Sequence, residues 1–266
     1  MQVVILAGGM GTRIRDVTED IPKPMIPIGN RPILWHIMGC YAQYGFKRFV
    51  ICLGHKGWLI KRYFLDYNLA EADFTVRLSG WVPLQIHKLS HPEDWEITLI
   101  ETGLQTMTGA RTRRALPYLE GDHFLLTYGD GLSDVNIREL VDFHLAHGRL
   151  GTVTAVPQPG RFGELEMAGS CVRGFAEKPV RAAGRISGGF FVFRREFLQR
   201  LPDDEGLVLE QSPLQRLVRD GELMAYPHDG FWHCMDNSRD YQYLNQLWAE
   251  GRAPWVQPAA PRRAAA

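Results

Sequence analysis

Val3-Val4-Ile5-Leu6-Ala7-Gly8-Gly9-Met10-Gly11-Thr12-Arg13 is the stretch that decides how this chain is read. Val3 to Leu6 is a short continuous apolar run that stops at glycines, the pattern of a strand covered on both faces. Such a strand needs helices on either side, so the run opens an α/β domain. The glycines behind it leave backbone N–H groups able to approach an anion without Cβ interference. No G-K-[ST] closes the segment, and Ile14 stands where the third glycine of a dinucleotide fingerprint belongs, so it is neither a P-loop nor that fingerprint. The glycines alone leave both a phosphate cradle and a structural turn open. Arg13 and Lys23 favour the cradle, since two cations near one loop, Lys23 fixed between Pro22 and Pro24, can neutralise a polyphosphate.

The α/β alternation continues outward from this strand. Apolar spacing predicts a helix over 32–44 ended by Gly45, a strand over 46–53 and a helix over 56–67. Strands are expected near 74–78, 85–89 and 96–101, then a helix over 111–119. The run 123–128 leads into Gly129-Asp130-Gly131, placing a carboxylate at the C-terminal edge of a strand, where α/β sites lie. A helix over 137–147 closed by Gly148 and a strand over 151–156 follow. After Pro159 the pattern changes to short strands and turns, with a helix over 207–219. One domain is expected over 1–256, with a disordered Ala/Pro tail over 257–266.

The chain of 266 residues balances 30 Lys and Arg against 30 Asp and Glu, so it has no net positive field to attract nucleic acid or an acidic membrane. No apolar run approaches the roughly 20 residues that span a bilayer, and nothing at the N-terminus reads as a secretory signal. The cytoplasm is therefore expected. Cys40, Cys52, Cys171 and Cys234 lack C-x-x-C spacing and fit reduced thiols. The tryptophans, without a basic patch beside them, read as packing or a subunit interface.

Asp130 and Asp236 are candidate ligands for a hard cation such as Mg²⁺, which takes oxygen ligands and few protein carboxylates. Glu177-Lys178-Pro179 offers an acid for hydroxyl groups and a cation for a second phosphate. His144 and His147 lie one helical turn apart with no third ligand nearby. They read as charged caps at a helix C-terminus rather than as a metal pair.

LAGGMGTR together with PKPMIPIGNRPILWHI resembles the nucleotide-binding signature of the sugar-1-phosphate nucleotidyltransferases, with KPM and PILWHIM pointing to their cytidylyltransferase branch. TYGDG, PGRFGEL, FAEKP, GGFFVF and GELMAYPHDGFWHCMD extend the likeness over about residues 1–255. The resemblance implies a Rossmann-like fold: a mixed, mainly parallel sheet flanked by helices, with a small β-rich sugar-side portion. It implies cytidylyl transfer from CTP to a sugar 1-phosphate, with Mg²⁺ as cofactor and a homo-oligomeric assembly. Another nucleotide, another sugar 1-phosphate, or a non-catalytic sugar-nucleotide sensor are the alternatives. By position it places Gly8, Gly9, Gly11, Thr12, Arg13 and Lys23 on the triphosphate, with Arg13, Lys23 and Asp130 catalytic, and Asp130 and Asp236 on the metal. Leu6, Ala7, Gly109 and Arg111 would surround the base and ribose. Tyr128, Glu177, Lys178, Ser187 and Gly188 would meet the sugar phosphate. Ala110, Ser187 and Asn237 depart from the expected Gly, Asn and Thr; Ser187, and secondarily Asn237, would then alter the choice of sugar.

Overall fold

The computed structural model describes residues 1–10, 20–70, 72–77, 84–88, 93–157, 164–168, 171–176 and 184–256. A seven-stranded sheet forms its centre. In chain order its strands are β1 (Gln2–Leu6), β2 (Arg48–Leu53), β3 (Glu96–Glu101), β4 (His123–Tyr128), β5 (Gly151–Pro157), β6 (Arg185–Arg194) and β7 (Leu223–Pro227). Across the sheet the order is β7-β5-β6-β4-β1-β2-β3. Only β6 runs against the other six strands, pairing antiparallel with both β4 and β5.

The apolar run that opens the chain is the middle of this sheet. β1 pairs in parallel with β2 and β4, Val3 standing opposite Phe49 and Leu125. Its side chains alternate between two cores. Val3 and Ile5 join Phe49 and Ile51 beneath the helices Ile33–Ala42 and Ile137–His147. Val4 and Leu6 join Val50, Phe124 and Phe191 on the opposite face, against Ala110 of the helix Thr108–Arg114 and Leu217 of the helix Ser212–Arg219. Every residue of β1 is buried. At about 1.5–3 kcal/mol for each fully buried large apolar side chain, this double burial is what secures the layers. Ala110, where the resemblance expects glycine, fills that second core with its methyl group.

The expected fold class is borne out, and most differences are local. The helix expected over 111–119 begins at Thr108, ends at Arg114 and gives way to a 3₁₀ turn, Leu116–Tyr118, because Pro117 has no N–H to continue it. The helix expected from Leu207 starts only at Ser212. The Leu207 carbonyl instead accepts the Gly109 and Ala110 N–H groups, holding residues 205–210 against the neighbouring helix. A small antiparallel pair, Glu164–Ala168 with Cys171–Ala176, supplies the β-rich portion between β5 and β6. The expected tail, 257–266, lies outside the described residues.

The two helical histidines are not charged caps. Burial first, then the neighbouring His123, His147 and Arg194, pushes His144 down to about 3, so its ring is neutral. His144 and His147 both bond the Thr152 hydroxyl, at 2.8 and 2.7 Å, and the left-handed Gly148 ends the helix. Cys40 and Cys52 are buried and Cys234 is half-buried, all as free thiols. Trp255 is a core residue and Trp58 lies on the surface. No helix among the described residues is long and apolar enough to cross a membrane.

Sequence reading missed the helix Ser238–Ala249. Asn237 caps it: its side chain accepts the Arg239 and Asp240 N–H groups at 2.9 and 3.1 Å, while Asp240 reaches back to the Asn237 N–H. This gives Asn237 a capping role. Asn237→Ala is expected to cost about 1 kcal/mol in urea unfolding, with an unchanged slope.

Candidate active site

The C-terminal ends of β1 and β4 open onto a cavity of about 440 Å³. Its walls include Leu6, Ala7, Gly8 and Gly9 from the end of β1, and Tyr128, Gly129 and Asp130 from the end of β4. Thr106, Met107, Thr108 and Arg111 close another side, and Lys23 and Asp236 also reach it. The volume is in the range of small-molecule sites.

Lys23 opens a single 3₁₀ turn, Lys23–Met25, after Pro22. Asp130 directly precedes the short strand Gly131–Ser133, which pairs antiparallel with Trp232–Cys234. The Met235 N–H donates to the Asp130 carbonyl at 2.9 Å, so this ribbon brings Asp236 beside Asp130 despite their separation in sequence. The Asp236 N–H is in turn held by the Asp240 carboxylate at 2.8 Å. Between the two carboxylates lies the Lys23 ammonium, 2.6 Å from Asp130 Oδ2 and 2.7 Å from Asp236 Oδ1. Burial works to lower the Lys23 pKa. Asp130 and Asp236 outweigh it and hold the pKa above its ordinary value, so the ammonium stays charged.

These carboxylates meet the requirement for a hard divalent cation. Both converge on one positive centre, now the lysine, and their oxygens and the Cys234 sulfur lie within 4.8 Å of one another. Burial, and then Asp130, pushes the Cys234 thiol up, and oxygen rather than sulfur is the donor type suited to Mg²⁺.

Arg111 is held from within the protein. It lines the cavity, but its guanidinium points into the protein. Nη1 donates to the Leu53 carbonyl at 2.8 Å and Thr102 Oγ1 at 2.6 Å, and Nη2 to the Gly8 carbonyl at 3.1 Å and the Leu104 carbonyl at 3.3 Å. Through these contacts Arg111 fastens the glycine segment to the end of β2 while still lining the cavity. Gly8 must be glycine for this contact, since a Cβ there would lie 2.2 Å from Arg111 Nη1.

Gly109 packs against Leu207, and its neighbour Thr108 and the nearby Arg111 line the cavity. Ser187 and Gly188 lie at the start of β6, outside the cavity's immediate lining. Ser187 Oγ accepts the Gly189 N–H at 3.3 Å, and the Gly188 carbonyl accepts Trp232 Nε1 at 2.7 Å. Gly11, Thr12, Arg13, Glu177 and Lys178 lie outside the described residues. Sequence reading missed Thr108 as a wall residue and Glu210, whose carboxylate accepts the hydroxyls of both Tyr128 and Thr108.

The family model described as nucleotidyl transferase matches residues 2–248. The chain belongs to the nucleotidyl transferase family. It is 46% identical over 256 residues to a glucose-1-phosphate cytidylyltransferase of Salmonella typhimurium, covering 96% of this chain and 98% of that protein. A probable glucose-1-phosphate cytidylyltransferase of Bacillus subtilis is 42% identical over 255 residues, covering 96% and 99%. Among solved structures, HddC from Yersinia pseudotuberculosis superposes with a TM-score of 0.68 at 22% identity, covering 93% of this chain and 99% of its own. A putative glucose-1-phosphate thymidylyltransferase from Bacillus anthracis gives 0.69 at 16% identity, with 98% of each chain covered. At these identities the structural likeness speaks for the fold. In this family's fold, the cavity at the ends of β1 and β4 is the candidate active site.

Proposed function

We propose that the protein transfers a cytidylyl group from CTP to a sugar 1-phosphate, with glucose 1-phosphate as first choice, giving a CDP-sugar and pyrophosphate. The observation that carries this reading is the convergence of Lys23, Asp130 and Asp236 on one point of the cavity in a chain 46% identical to a glucose-1-phosphate cytidylyltransferase. A phosphate oxygen of the sugar 1-phosphate forms a bond to the α-phosphorus of CTP. The bond from that phosphorus to the oxygen bridging to the β-phosphate breaks, and its electron pair leaves with pyrophosphate. The attacking oxygen is already ionised, so no general base is required.

The protein's task is alignment and charge neutralisation. Gly8 and Gly9, with Gly11, Thr12 and Arg13, form the phosphate cradle in this reading, and Arg111 holds its base. Asp130 and Asp236 would hold Mg²⁺, which when bound would supply positive charge to offset that of the two anionic substrates. Lys23 supports the departing pyrophosphate. Glu177, Lys178 and Ser187 belong to the sugar-phosphate side. We place the enzyme in the cytoplasm as a homo-oligomer; its free thiols and the exposed Leu65, Phe74 and Ile86 support those two points.

Phosphorus NMR of a reaction containing CTP, glucose 1-phosphate and Mg²⁺ tests the reading: CDP-glucose and pyrophosphate should appear together, and CDP or CMP alone would contradict it. Lys23→Ala should raise the KM for CTP and lower kcat, each by about tenfold or more, because charge on the leaving group grows in the transition state. Loss of sugar-phosphate affinity alone would place Lys23 on the wrong substrate.

A further inference from the structure

Glu210 lies in no recognisable motif, yet it joins two walls of the cavity. One carboxylate oxygen accepts a hydrogen bond from the Tyr128 hydroxyl, and the other accepts the Thr108 hydroxyl at 2.7 Å. Thr108 Oγ1 also takes the Leu209 N–H at 2.9 Å, and Gly109 N–H donates to the Leu207 carbonyl at 2.9 Å. The segment bearing Glu210 is thus stitched to the start of the helix Thr108–Arg114 while its carboxylate reaches the end of β4.

The Tyr128 ring is fixed from below as well. It lies on Gly189, whose φ is +77° and where a Cβ would come within 2.7 Å of Tyr128 Cδ2. Phe191 meets the ring edge-on at 6.0 Å. With its proton directed at Glu210, the phenol oxygen has only lone pairs left to offer, so it can accept a hydrogen bond and cannot donate one. A group that reads a ligand in this way selects a donor. The glycine segment follows β1 and is fastened on its β2 side by Arg111, whereas Tyr128 sits on the β4–β6 side, against Gly189. That side is left for the second substrate.

We infer that Glu210 is a positioning residue for sugar recognition: it locks Tyr128 as a hydrogen-bond acceptor facing a hydroxyl of the sugar 1-phosphate. This rests on the proposed cytidylyl transfer. It assigns Glu210 no contact with the reacting atoms, and its effect passes through Tyr128.

The test begins with wild-type turnover of CTP and glucose 1-phosphate, whose absence would refute the proposed function itself. Given that turnover, kcat and both KM values are measured for Glu210→Ala, Glu210→Gln, Tyr128→Phe and the double variant Tyr128→Phe/Glu210→Ala, with glucose 1-phosphate and each of its monodeoxy analogues. Glu210→Ala should raise the KM for glucose 1-phosphate about tenfold and leave the KM for CTP within about twofold. One monodeoxy analogue should be disfavoured about tenfold or more by the wild type, and that discrimination should vanish in both Glu210→Ala and Tyr128→Phe. Glu210→Gln, which keeps an acceptor oxygen, should retain most of it. The double variant should be no worse than Tyr128→Phe, because the two residues act as one unit. Equal changes in both KM values, unchanged discrimination among the deoxy sugars in Glu210→Ala, or additive losses in the double variant would each overturn the inference. Should Glu210→Ala not fold, Glu210→Gln and Tyr128→Phe decide alone: discrimination kept by Gln and lost in Phe supports it, and discrimination retained in Phe refutes it.

Discussion

Replacing either Asp130 or Asp236 with Asn should lower turnover by about a thousandfold or more while leaving the fold intact. Asparagine keeps the shape of the side chain and removes the charge. The two carboxylates stand 2.6 and 2.7 Å from one ammonium, so both contribute to a single cation-binding point, and neither can replace the other. The fold should survive because the ribbon that joins them, Gly131–Ser133 with Trp232–Cys234, is held by backbone pairing. Circular dichroism and the thermal midpoint would report that fold, and initial rates at saturating Mg²⁺ would report the charge. Wild-type rates in either variant would remove both residues from the proposed cation site.

Arg111→Ala should destabilise the protein by about 3 kcal/mol or more and reduce activity with it. The side chain is 4% exposed and donates to three backbone carbonyls and one hydroxyl. Its removal deprives the Gly8 and Leu104 carbonyls of a buried donor and leaves a void against Gly8 and Gly54, whose Cα positions are packed on the guanidinium. Burial lowers the Arg111 pKa, but a guanidinium remains charged throughout the working range, so the effect should not vary between neutral and mildly acidic pH. Urea unfolding would measure the stability change. A variant as stable as wild type that loses only CTP affinity would make Arg111 a nucleotide ligand rather than a structural fastener.

What the sequence discloses and what it conceals follow from range. β1, β2, β4 and the helix Ile137–His147 are legible because each carries a strong apolar pattern bounded by glycine, and burial on one or both faces enforces it. The helix Ser238–Ala249 buries only Leu244 and Leu247, too thin a stripe to register by periodicity; its Asn237-x-x-Asp240 cap was the available signal. Leu207 and Leu209 look helical alone but are held in a loop by contacts from residues about a hundred positions earlier. The site shows the same division. Lys23 and Asp130 can be picked out from proline and glycine context, whereas the ribbon that delivers Asp236 beside them is a tertiary event. Arg111 is visible as a cation in the signature, yet its partners are carbonyl groups, which every residue has. Glu210 is invisible for a similar reason, since only folding brings Tyr128 and Thr108 to it.

The Asp130, Asp236 and Lys23 constellation is proposed to support transfer from CTP to a sugar 1-phosphate. It is tested most directly by initial rates of pyrophosphate release for every pairing of the common nucleoside triphosphates with glucose, galactose, mannose and N-acetylglucosamine 1-phosphates, with Mg²⁺ and with chelator. The highest kcat/KM is expected for CTP with glucose 1-phosphate, with no release in chelator; a faster reaction with another nucleotide, or none with any pairing, would refute that transfer.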